Sequence, residues 1–311
     1  MSIKIVGIGS YLPKKILTNS EISTFVETTD EWVQKNLGIK ERRISADDEL
    51  SSDLAIHSSL SAIYDAGLLV DDIDFIIMAT SSPDRISPST ACLLQEKIGA
   101  FNAACIDINA VCPGFLYGLQ IAKGLLSIGQ YKNILLVASE TYSKITDWGK
   151  RDCIFFGDGS GAVVLQSDND NICEIDLYAD GRGKDAFTVH HGNYFSMIGK
   201  EVYENGISKL PKSIIDLLVR TKIDKNNINH IIPHQPSINI LKKTAEILDV
   251  DFSKICTSME EYANTAGASI PITLDKFYKS NKFKNGDLLL FTTIGSGWVW
   301  GSGIIKWTKK N

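Results

Sequence analysis

The 311-residue chain lacks several patterns that define special classes of protein. It has no long basic run of the kind that binds nucleic acid, and its formal net charge is −5. Its longest apolar runs have the length of a β-strand, which is too short to cross a membrane. The first residues contain no secretory signal pattern. We therefore expect a cytoplasmic protein that binds neither nucleic acid nor membrane.

Cysteine is also scarce, and no two of the six cysteines have C-x-x-C spacing. A chain of this size has a large core and does not need disulfides, so five cysteines are expected to be small buried residues. His190 and His191 lie in a polar region and are expected in a solvated loop. Because no carboxylate or thiol stands at ligand spacing, no metal site is expected.

The sequence contains the same order of strands, turns and helices twice. Residues 73–80 in the first half resemble residues 228–235 in the second, and a helical stretch follows each. Cys112 and Asn264 then stand at equivalent turns. A nearly constant offset between the copies indicates an internal duplication. We expect an N-terminal half and a C-terminal half whose strand ends meet at one shared place, with the boundary after residue 168 (1–168 and 169–311).

Short β-branched runs alternate with helical segments, which is typical of α/β layers. The pattern predicts strands near 3–8, 73–80, 104–109, 133–139, 228–233, 254–257, 287–293 and 302–307. It predicts helices near 50–66, 90–98, 113–127, 200–220, 236–248 and 267–279. Residues 154–156 and 162–165 are expected to pair as strands around a tight turn at 157–161, and the polar region 168–196 to be a loop-bearing junction between the halves.

Cys112 is the sharpest local feature, because it stands between an apolar strand and the helix-starting residue Pro113. This position predicts an approximate N-cap, where the helix dipole and free N–H groups favour a thiolate. Gly114, Gly118 and Ala122 recur at every fourth residue and predict a bare helix face that packs closely. A nucleophile and a core cysteine are equal alternatives for this motif.

Three polar positions in the second half have both structural and functional interpretations. His234 ends an apolar strand, where α/β folds place their chemistry, although a structural histidine is an alternative. Asn264 suits an N-cap, and it also suits a hydrogen-bond donor to developing negative charge. The glycines on either side of Ser296 form either a plain turn or a place where a backbone N–H approaches a substrate oxygen.

Together, these motifs resemble the β-ketoacyl-acyl-carrier-protein synthase III family of the thiolase superfamily over essentially the whole chain. The matching stretches are 28–32, 38–42, 88–91, 107–115, 156–162, 199–202, 233–235, 264–265 and 295–301. The resemblance implies a thiolase-like α/β fold with five layers, α-β-α-β-α, and an internal pseudo-twofold duplication. It also implies a homodimer that uses coenzyme A thioesters as substrates and holds no cofactor.

The resemblance further implies that Cys112, His234 and Asn264 form a catalytic triad. Cys112 would take up the acyl group, and the N–H groups of Cys112 and Ser296 would hold the oxyanion. His234 and Asn264 would donate hydrogen bonds to the enolate left when a malonyl thioester loses carbon dioxide. The implied reaction is a decarboxylative Claisen condensation, with an acyl carrier protein as partner.

Other positions match the family or depart from it. Trp32 and Arg151 match residues that stack on and pair with coenzyme A, whereas Asn36 replaces a common arginine. Ser87 stands where an aromatic residue often closes the partner subunit's acyl pocket. Further departures are Pro113 after the nucleophile, Glu204 and Asn239 in place of basic residues that dock the carrier protein, and a short loop over 183–197.

These departures suggest a specialised acyl donor or acceptor rather than the initiation of bulk fatty-acid synthesis. Two other functions remain open. One is acyl transfer to an alcohol or amine without condensation, which Asn264 argues against. The other is a non-catalytic partner subunit with the same fold, which the presence of all three triad residues disfavours.

Overall fold

The computed structural model describes residues 2–309. Its strands are β1 (Ile3–Tyr11), β2 (Lys15–Thr18), β3 (Glu41–Ile44), β4 (Phe75–Ala79), β5 (Ala104–Ile108), β6 (Ile134–Glu140), β7 (Gly159–Ser167), β8 (Cys173–Ala179), β9 (Phe187–Val189), β10 (Phe195–Met197), β11 (Ile228–Pro233), β12 (Leu288–Gly295) and β13 (Val299–Lys306). Its α-helices are α1 (Asn19–Ile22), α2 (Asp30–Leu37), α3 (Ser51–Asp65), α4 (Thr90–Ile98), α5 (Gly114–Ser127), α6 (Gly199–Thr221), α7 (Ile238–Leu248), α8 (Met259–Tyr262) and α9 (Ser269–Lys279). None of these helices is long and apolar enough to cross a membrane.

Two large sheets repeat one topology. The first sheet has the order β5-β4-β6-β7-β1, in which β5, β4 and β6 are parallel and the other neighbours antiparallel. The second has the order β11-β12-β13-β8, with β11 parallel to β12 and the other pairs antiparallel. A parallel bridge from Ile231 to Ile255 adds the counterpart of β5. The predicted duplication is confirmed by this match of order and direction.

The helices and sheets form five layers. Helices α3 and α4 cover the outer face of the first sheet, and α6 and α7 cover that of the second. Helices α5 and α9 lie between the sheets. Because side chains alternate along a strand, Ile77 and Leu136 face the central helices while Met78 and Val137 face the outer ones. The expected α-β-α-β-α order is confirmed.

Glycine lets the central helix α5 approach the first sheet closely. A Cβ on Gly118 would lie 2.3 Å from Leu136 Cδ1, and one on Gly114 would lie 3.0 Å from Ala79 Cβ. The predicted bare face of this helix is therefore confirmed. Strand glycines serve α9 in the same way, because a Cβ on Gly161 would lie 2.7 Å from Pro271 Cβ.

Four local predictions were wrong. The predicted strand at 254–257 is only the single bridge at Ile255. Residues 154–156 form no strand, since Arg151–Ile154 is a 3-10 helix and Phe156 makes one parallel bridge to Asn264. Residues 159–161 are not a tight turn but the start of β7, which pairs with both β1 and β6. The expected loop region 168–196 supplies β8 to the second sheet and part of the β9–β10 hairpin. The predicted domain boundary falls between β7 and β8 and stays a prediction.

Candidate active site

A cavity of about 390 Å³ lies where the strand ends of the two halves meet. The predicted functional residues Trp32, Cys112, His234, Asn264 and Ser296 are among those that line it. They come from α2, from the turn after β5, from the end of β11, from the corner before α9 and from the β12–β13 hairpin. The duplicated topology therefore brings together residues that are more than half the chain apart.

The Cys112 turn has a strained backbone. Val111, the preceding residue, has φ +52°, which β-branched residues rarely adopt. Two hydrogen bonds hold it: Val111 N–H donates to Asn109 Oδ1 (3.2 Å), and Gly114 N–H donates to Val111 O (2.9 Å). Strain of this kind is concentrated at functional sites. The N-cap of α5 is Pro113, so Cys112, which the sequence predicted as the approximate N-cap, lies one residue before it.

The sulfur of Cys112 is a neutral thiol in this environment. Burial raises its pKa to about 12, and the nearby carboxylate of Glu140 acts in the same direction. The predicted stabilisation of a thiolate by the helix start is therefore outweighed, because a buried charge loses its hydration. The side chain is 8% exposed, at the surface of the cavity.

His234 is a neutral imidazole. It is 2% exposed, and burial lowers its pKa to about 3. Its backbone N–H donates to Thr292 O of the neighbouring strand at 3.0 Å. Within residues 2–309, its Nδ1 atom has no hydrogen-bond partner. A neutral ring has one donor and one acceptor nitrogen, so His234 has hydrogen-bonding capacity to offer a ligand.

Asn264 is held so that its amide group can act as a donor. Its Oδ1 accepts hydrogen bonds from Ala266 N–H (2.9 Å) and from the Ser269 hydroxyl (3.4 Å). The flanking residues Ala263 and Ala266 have φ +55° and +45°. Because the oxygen is occupied, the NH₂ group is the side of the amide that remains for the cavity. The capping and donor interpretations of Asn264 are thus compatible.

Gly295 brings the β12–β13 hairpin against the nucleophile. A Cβ at this position would lie 3.0 Å from Cys112 N and 2.7 Å from Pro113 Cδ. Ser296 follows, and its hydroxyl donates to Phe187 O. The hairpin turn at 295–297 therefore does approach the Cys112 backbone closely, which was one of the two interpretations of its glycines. Cys112 and Ser296 both line the cavity.

Trp32 and Arg151 form one unit at the edge of the cavity. The Arg151 guanidinium carbon lies 4.1 Å from the centre of the Trp32 ring, a cation–π contact. Thr29 caps α2 by accepting a hydrogen bond from Trp32 N–H at 3.1 Å. Trp32 is 38% exposed, so a ligand can reach its ring. Asn36 lies one turn further along α2 and also lines the cavity.

The remaining predicted positions lie elsewhere. Ser87 is exposed and does not line this cavity in the described single chain. Asn239 lines the cavity, whereas Glu204 is exposed on α6 with Lys200 3.9 Å away. His190 and His191 are exposed after β9, as expected. Among residues 2–309, no group of three His, Cys, Asp or Glu side chains could hold a metal ion.

The other five cysteines are free, as expected for this chain. Cys153, Cys173 and Cys256 are buried, which agrees with the prediction. Cys92 and Cys105 are only half-buried, because they lie on α4 and β5 near the open edge of the first sheet.

Sequence reasoning missed an aromatic cluster beside Cys112. Tyr142 stacks on Phe156 with ring centres 4.6 Å apart, and Phe187 stacks on Phe195 at 5.5 Å. All four rings are buried and pack with Cys112. The β9–β10 hairpin supplies Phe187 and Phe195, from a region that the sequence predicted to bear loops. The three phenylalanines of the cluster stand in short apolar runs between polar residues, and such runs give no signal in the sequence. Only the tertiary packing shows that the rings meet.

The sequence analysis also missed Glu140, which is fully buried at the end of β6. A charged residue two positions after the apolar run 134–138 is the signal that could have identified it.

Comparisons with known proteins agree with this geometry. Family models described as 3-oxoacyl-(acyl-carrier-protein) synthase III match residues 106–181, and those for its C-terminal part match 218–307. A protein of Rickettsia rickettsii named β-ketoacyl-(acyl-carrier-protein) synthase III is 41% identical over 99% of this chain and 100% of its own length.

Solved structures are similar over the same extent. The 3-oxoacyl-(acyl-carrier-protein) synthase III of Aquifex aeolicus has a TM-score of 0.95 and 36% identity, covering 98% of this chain and 100% of that one. A priming β-ketosynthase of a polyketide biosynthetic pathway has a TM-score of 0.94 and 25% identity, covering 100% and 97%. This chain therefore belongs to the β-ketoacyl-acyl-carrier-protein synthase III family of the thiolase superfamily.

Proposed function

We propose that this protein is a condensing enzyme that joins an acyl thioester to a malonyl thioester with loss of carbon dioxide, at the initiation of fatty-acid synthesis. The observation that carries the proposal is the single cavity lined by Cys112, His234 and Asn264. The name shared by its relatives, at up to 41% identity among those compared, supports the same reaction.

The first half-reaction loads the enzyme. Sγ of Cys112 attacks the carbonyl carbon of the acyl donor, and the bond from that carbon to the donor sulfur breaks. The thiol proton leaves Cys112 and ends on the released thiolate. His234 lies in the same cavity, and its lowered pKa means that a proton it accepts is passed on at once to the released thiolate. The backbone N–H groups of Cys112 and Ser296 stabilise the oxyanion.

The second half-reaction makes the carbon–carbon bond. The malonyl thioester releases carbon dioxide, and the electron pair of the broken bond forms an enolate. The Asn264 NH₂ group and a ring N–H of His234 donate hydrogen bonds to its oxygen. The carbanion attacks the acyl carbonyl carbon, and the bond from that carbon to Cys112 Sγ breaks. The sulfur leaves as a thiolate and takes up a proton from solvent, which restores the thiol. Because His234 is neutral, neither donor readily protonates the carbanion.

Coenzyme A is the proposed carrier of the incoming acyl group. The exposed Trp32 ring offers a stacking surface for an adenine, and the Arg151 guanidinium offers charge for a phosphate. Asn36 supplies only a neutral amide where a second cation would help, and its Nδ2 already donates to Trp32 O at 2.9 Å. We expect coenzyme A to bind more weakly than it would with an arginine at this position.

The aromatic cluster of Tyr142, Phe156, Phe187 and Phe195 favours a short acyl group. These rings fill the space beside Cys112, in a cavity of about 390 Å³ that also has to admit the thioester arm. A second cavity of about 790 Å³ lies behind Tyr142 and Phe187. A long-chain donor would need these two rings to move. A specialised donor remains the alternative, which a panel of donors decides.

An acyl carrier protein is the proposed source of the malonyl group. Glu204 and Asn239 offer no positive charge to an acidic carrier at two positions, so we expect weaker docking with less dependence on salt. We propose a cytoplasmic location for the enzyme, where such carriers act.

We also propose a homodimer formed along β5. This strand pairs only with β4 among the described strands, which leaves its other edge open. Ile106 on β5 is 42% exposed, Phe101 just before this strand is 72% exposed, and Ile86 in the loop between β4 and α4 is 88% exposed. A second copy would cover this apolar edge and complete the sheet. Light scattering after size-exclusion chromatography tests the proposal.

Intact-protein mass spectrometry tests the chemistry. The protein is mixed with short, branched and long acyl-coenzyme A donors, beside Cys112→Ala. We expect a mass gain of one acyl group with short donors, absent in the variant. A strict preference for long or unusual donors would support the specialised alternative. If neither coenzyme A nor carrier-protein donors load the protein, the proposed reaction is wrong.

Product analysis separates the remaining alternatives. A loaded enzyme that forms a β-ketoacyl product from malonyl-carrier protein is a condensing enzyme. One that passes its acyl group to an alcohol or amine without releasing carbon dioxide is a simple acyltransferase. A protein that does not load at all with any donor fits the non-catalytic partner subunit.

A further inference from the structure

Glu140 is a buried carboxylate that the proposed mechanism does not use. It ends β6 and is 0% exposed. Both of its oxygens accept hydrogen bonds from Ser81 N–H, at 3.1 and 3.2 Å. The hydroxyls of Ser81 and Ser82 donate to it at 2.9 and 2.6 Å. Within residues 2–309, no lysine, arginine or histidine forms an ion pair with it.

The surrounding hydrogen bonds all point toward this carboxylate. Ser82 Oγ accepts Thr141 N–H at 2.9 Å, so its own proton is directed to Glu140. Tyr142 Oη lies 3.0 Å from Ser81 Oγ, and since Ser81 donates to Glu140, the phenol donates to Ser81. An ionised carboxylate can only accept hydrogen bonds, whereas a protonated carboxyl also has to donate one. Because the Glu140 carboxyl is surrounded by donors, the ionised form fits this site best.

Glu140 also reaches the corner that carries Asn264. Gly267 N–H, three residues after Asn264, donates to the carboxylate. A Cβ on Gly267 would lie 3.2 Å from Glu140 Oε1 and 3.1 Å from Val111 O, in the residue before Cys112. The carboxylate therefore lies between the loop after β4, the Cys112 turn and the Asn264 corner.

We infer that Glu140 is a positioning residue for this site, which holds the Asn264 corner against the Cys112 turn and keeps the sulfur of Cys112 protonated until an acyl donor binds. The inference deepens the proposed function and rests on it for the role of Cys112. The titratable groups that face the carboxylate are the Cys112 thiol and the Tyr142 phenol. The rest of its surroundings are backbone N–H groups and serine and threonine hydroxyls.

The balance of charge explains how both roles are possible. Burial raises the pKa of Glu140 to about 7, while the bonds from Ser82, Ser81 and Gly267 lower it. An ionised Glu140 opposes a second negative charge on Cys112 and so raises the pKa of the thiol. Removing the charge would lower that pKa, and the thiolate would form at a lower pH.

The test replaces the carboxylate by an amide of equal size, Glu140→Gln, in the full-length protein. The rate at which iodoacetamide alkylates Cys112 is measured from pH 6 to 10 on the proteolytic peptide that contains Cys112, because only the thiolate reacts and the half-buried Cys92 and Cys105 also carry free thiols. We expect the profile to shift to lower pH and the rate at neutral pH to rise several-fold. A purely structural role for Glu140 would not produce this shift.

Steady-state kinetics gives the second readout. The amide introduced by Glu140→Gln would turn a donor toward Ser81 or Gly267, which loosens the Asn264 corner, so we expect kcat for condensation to fall at least tenfold with little change in KM. Glu140→Asp keeps the charge but loses reach. It should retain the alkylation profile of the natural protein and lose kcat only.

Asp158→Asn is the matched control, because Asp158 is also fully buried and accepts hydrogen bonds from serines, Ser45 and Ser143. Its alkylation profile should match that of the natural protein. A folded Glu140→Gln protein with an unchanged profile would overturn the inference, as would an equal shift in Asp158→Asn. If Glu140→Gln does not fold, a shifted profile in Glu140→Asp would equally contradict it. Alkylation needs no condensing activity, so failure of the proposed function is seen separately, as absent acyl loading.

Discussion

Cys112 and Asn264 occupy equivalent corners of the two halves, yet the corners differ in how they hold their side chains. At the first corner, Val111 has φ +52° and the sulfur meets the backbone N–H of its own residue. At the second, Ala263 and Ala266 are strained, and the Asn264 oxygen is fixed by two donors. One backbone plan thus presents a nucleophile once and an oriented donor once.

The strands that flank these corners differ in the same way. β6 ends in the buried carboxylate of Glu140, whereas its counterpart β12 carries no charge from Leu288 to Gly295. The outer edges differ as well. Ile106 on β5 is 42% exposed, while Ile255 at the counterpart position is 6% exposed. Duplication therefore preserved the topology, whereas local side chains placed the nucleophile, the buried carboxylate and the exposed sheet edge in the first half only.

Removing the donor of the second corner is expected to have the largest effect. Asn264→Ala should still form the acyl-Cys112 intermediate but should lower condensation by about 100-fold to 1,000-fold, because one donor to developing charge is lost. Acyl loading is followed by intact mass, and the β-ketoacyl product is quantified separately. Asn226→Ala, on the exposed surface, is the matched control. If Asn264→Ala also fails to form the acyl-Cys112 intermediate, the Cys112 corner and the Asn264 corner do not serve loading and condensation separately.

The contact between the halves at Gly295 can be broken directly. Gly295→Ala places a methyl group 2.7 Å from Pro113 Cδ and 3.0 Å from Cys112 N, so the hairpin has to move away. We expect acyl loading to slow by about 10-fold to 100-fold as the oxyanion loses an aligned donor. Single-turnover loading rates measure this. Gly181→Ala, where a Cβ meets nothing within 4 Å, should load at the natural rate.

The difference between the sheet edges predicts an asymmetric effect on assembly. Ile106→Glu introduces a charge on the open edge of β5 and should convert the proposed dimer to a monomer, because an ionised side chain resists burial. Ile247→Glu, on α7 of the second half, starts from a similar exposure of 44% and should leave the mass unchanged. Light scattering that finds a dimer for both variants would place the interface elsewhere.

The smallest expected effect concerns the close packing of α5. Gly118→Ala would meet buried Leu136 Cδ1 at 2.3 Å and should lower the free energy of unfolding by about 1–3 kcal/mol. Gly124→Ala in the same helix meets nothing within 4 Å and should raise it by about 0.5–1 kcal/mol. Urea unfolding compares them. An equal change in the free energy of unfolding for both variants would show that close packing on the first sheet is not the reason for glycine at position 118.

Many elements could be predicted from the sequence because their signals are local. The alternation of apolar runs and helical periods predicted the helix Thr90–Ile98 and the strand Ile228–Pro233 at their observed bounds. The repeat predicted a shared meeting place for strand ends, where Cys112, His234 and Asn264 indeed line one cavity. Matches at nine separate motifs predicted the family.

Other features could not be predicted, because they depend on contacts between distant residues. The glycines at 159 and 161 suggested a turn, yet they permit a strand to pack against Ile272 and Pro271 of α9. The helix start predicted a thiolate at Cys112, but burial and Glu140 together outweigh it. Phe187 and Phe195 gave no signal of their place beside Cys112.

The sequence by itself determined the order of elements, the duplication, the family and the residue types available for chemistry, because propensity and periodicity act over short distances. Only the tertiary structure decided the protonation of Cys112 and His234, the orientation of the Asn264 amide and the place of Glu140. Each of these depends on desolvation and on hydrogen bonds from residues that are far apart in the chain.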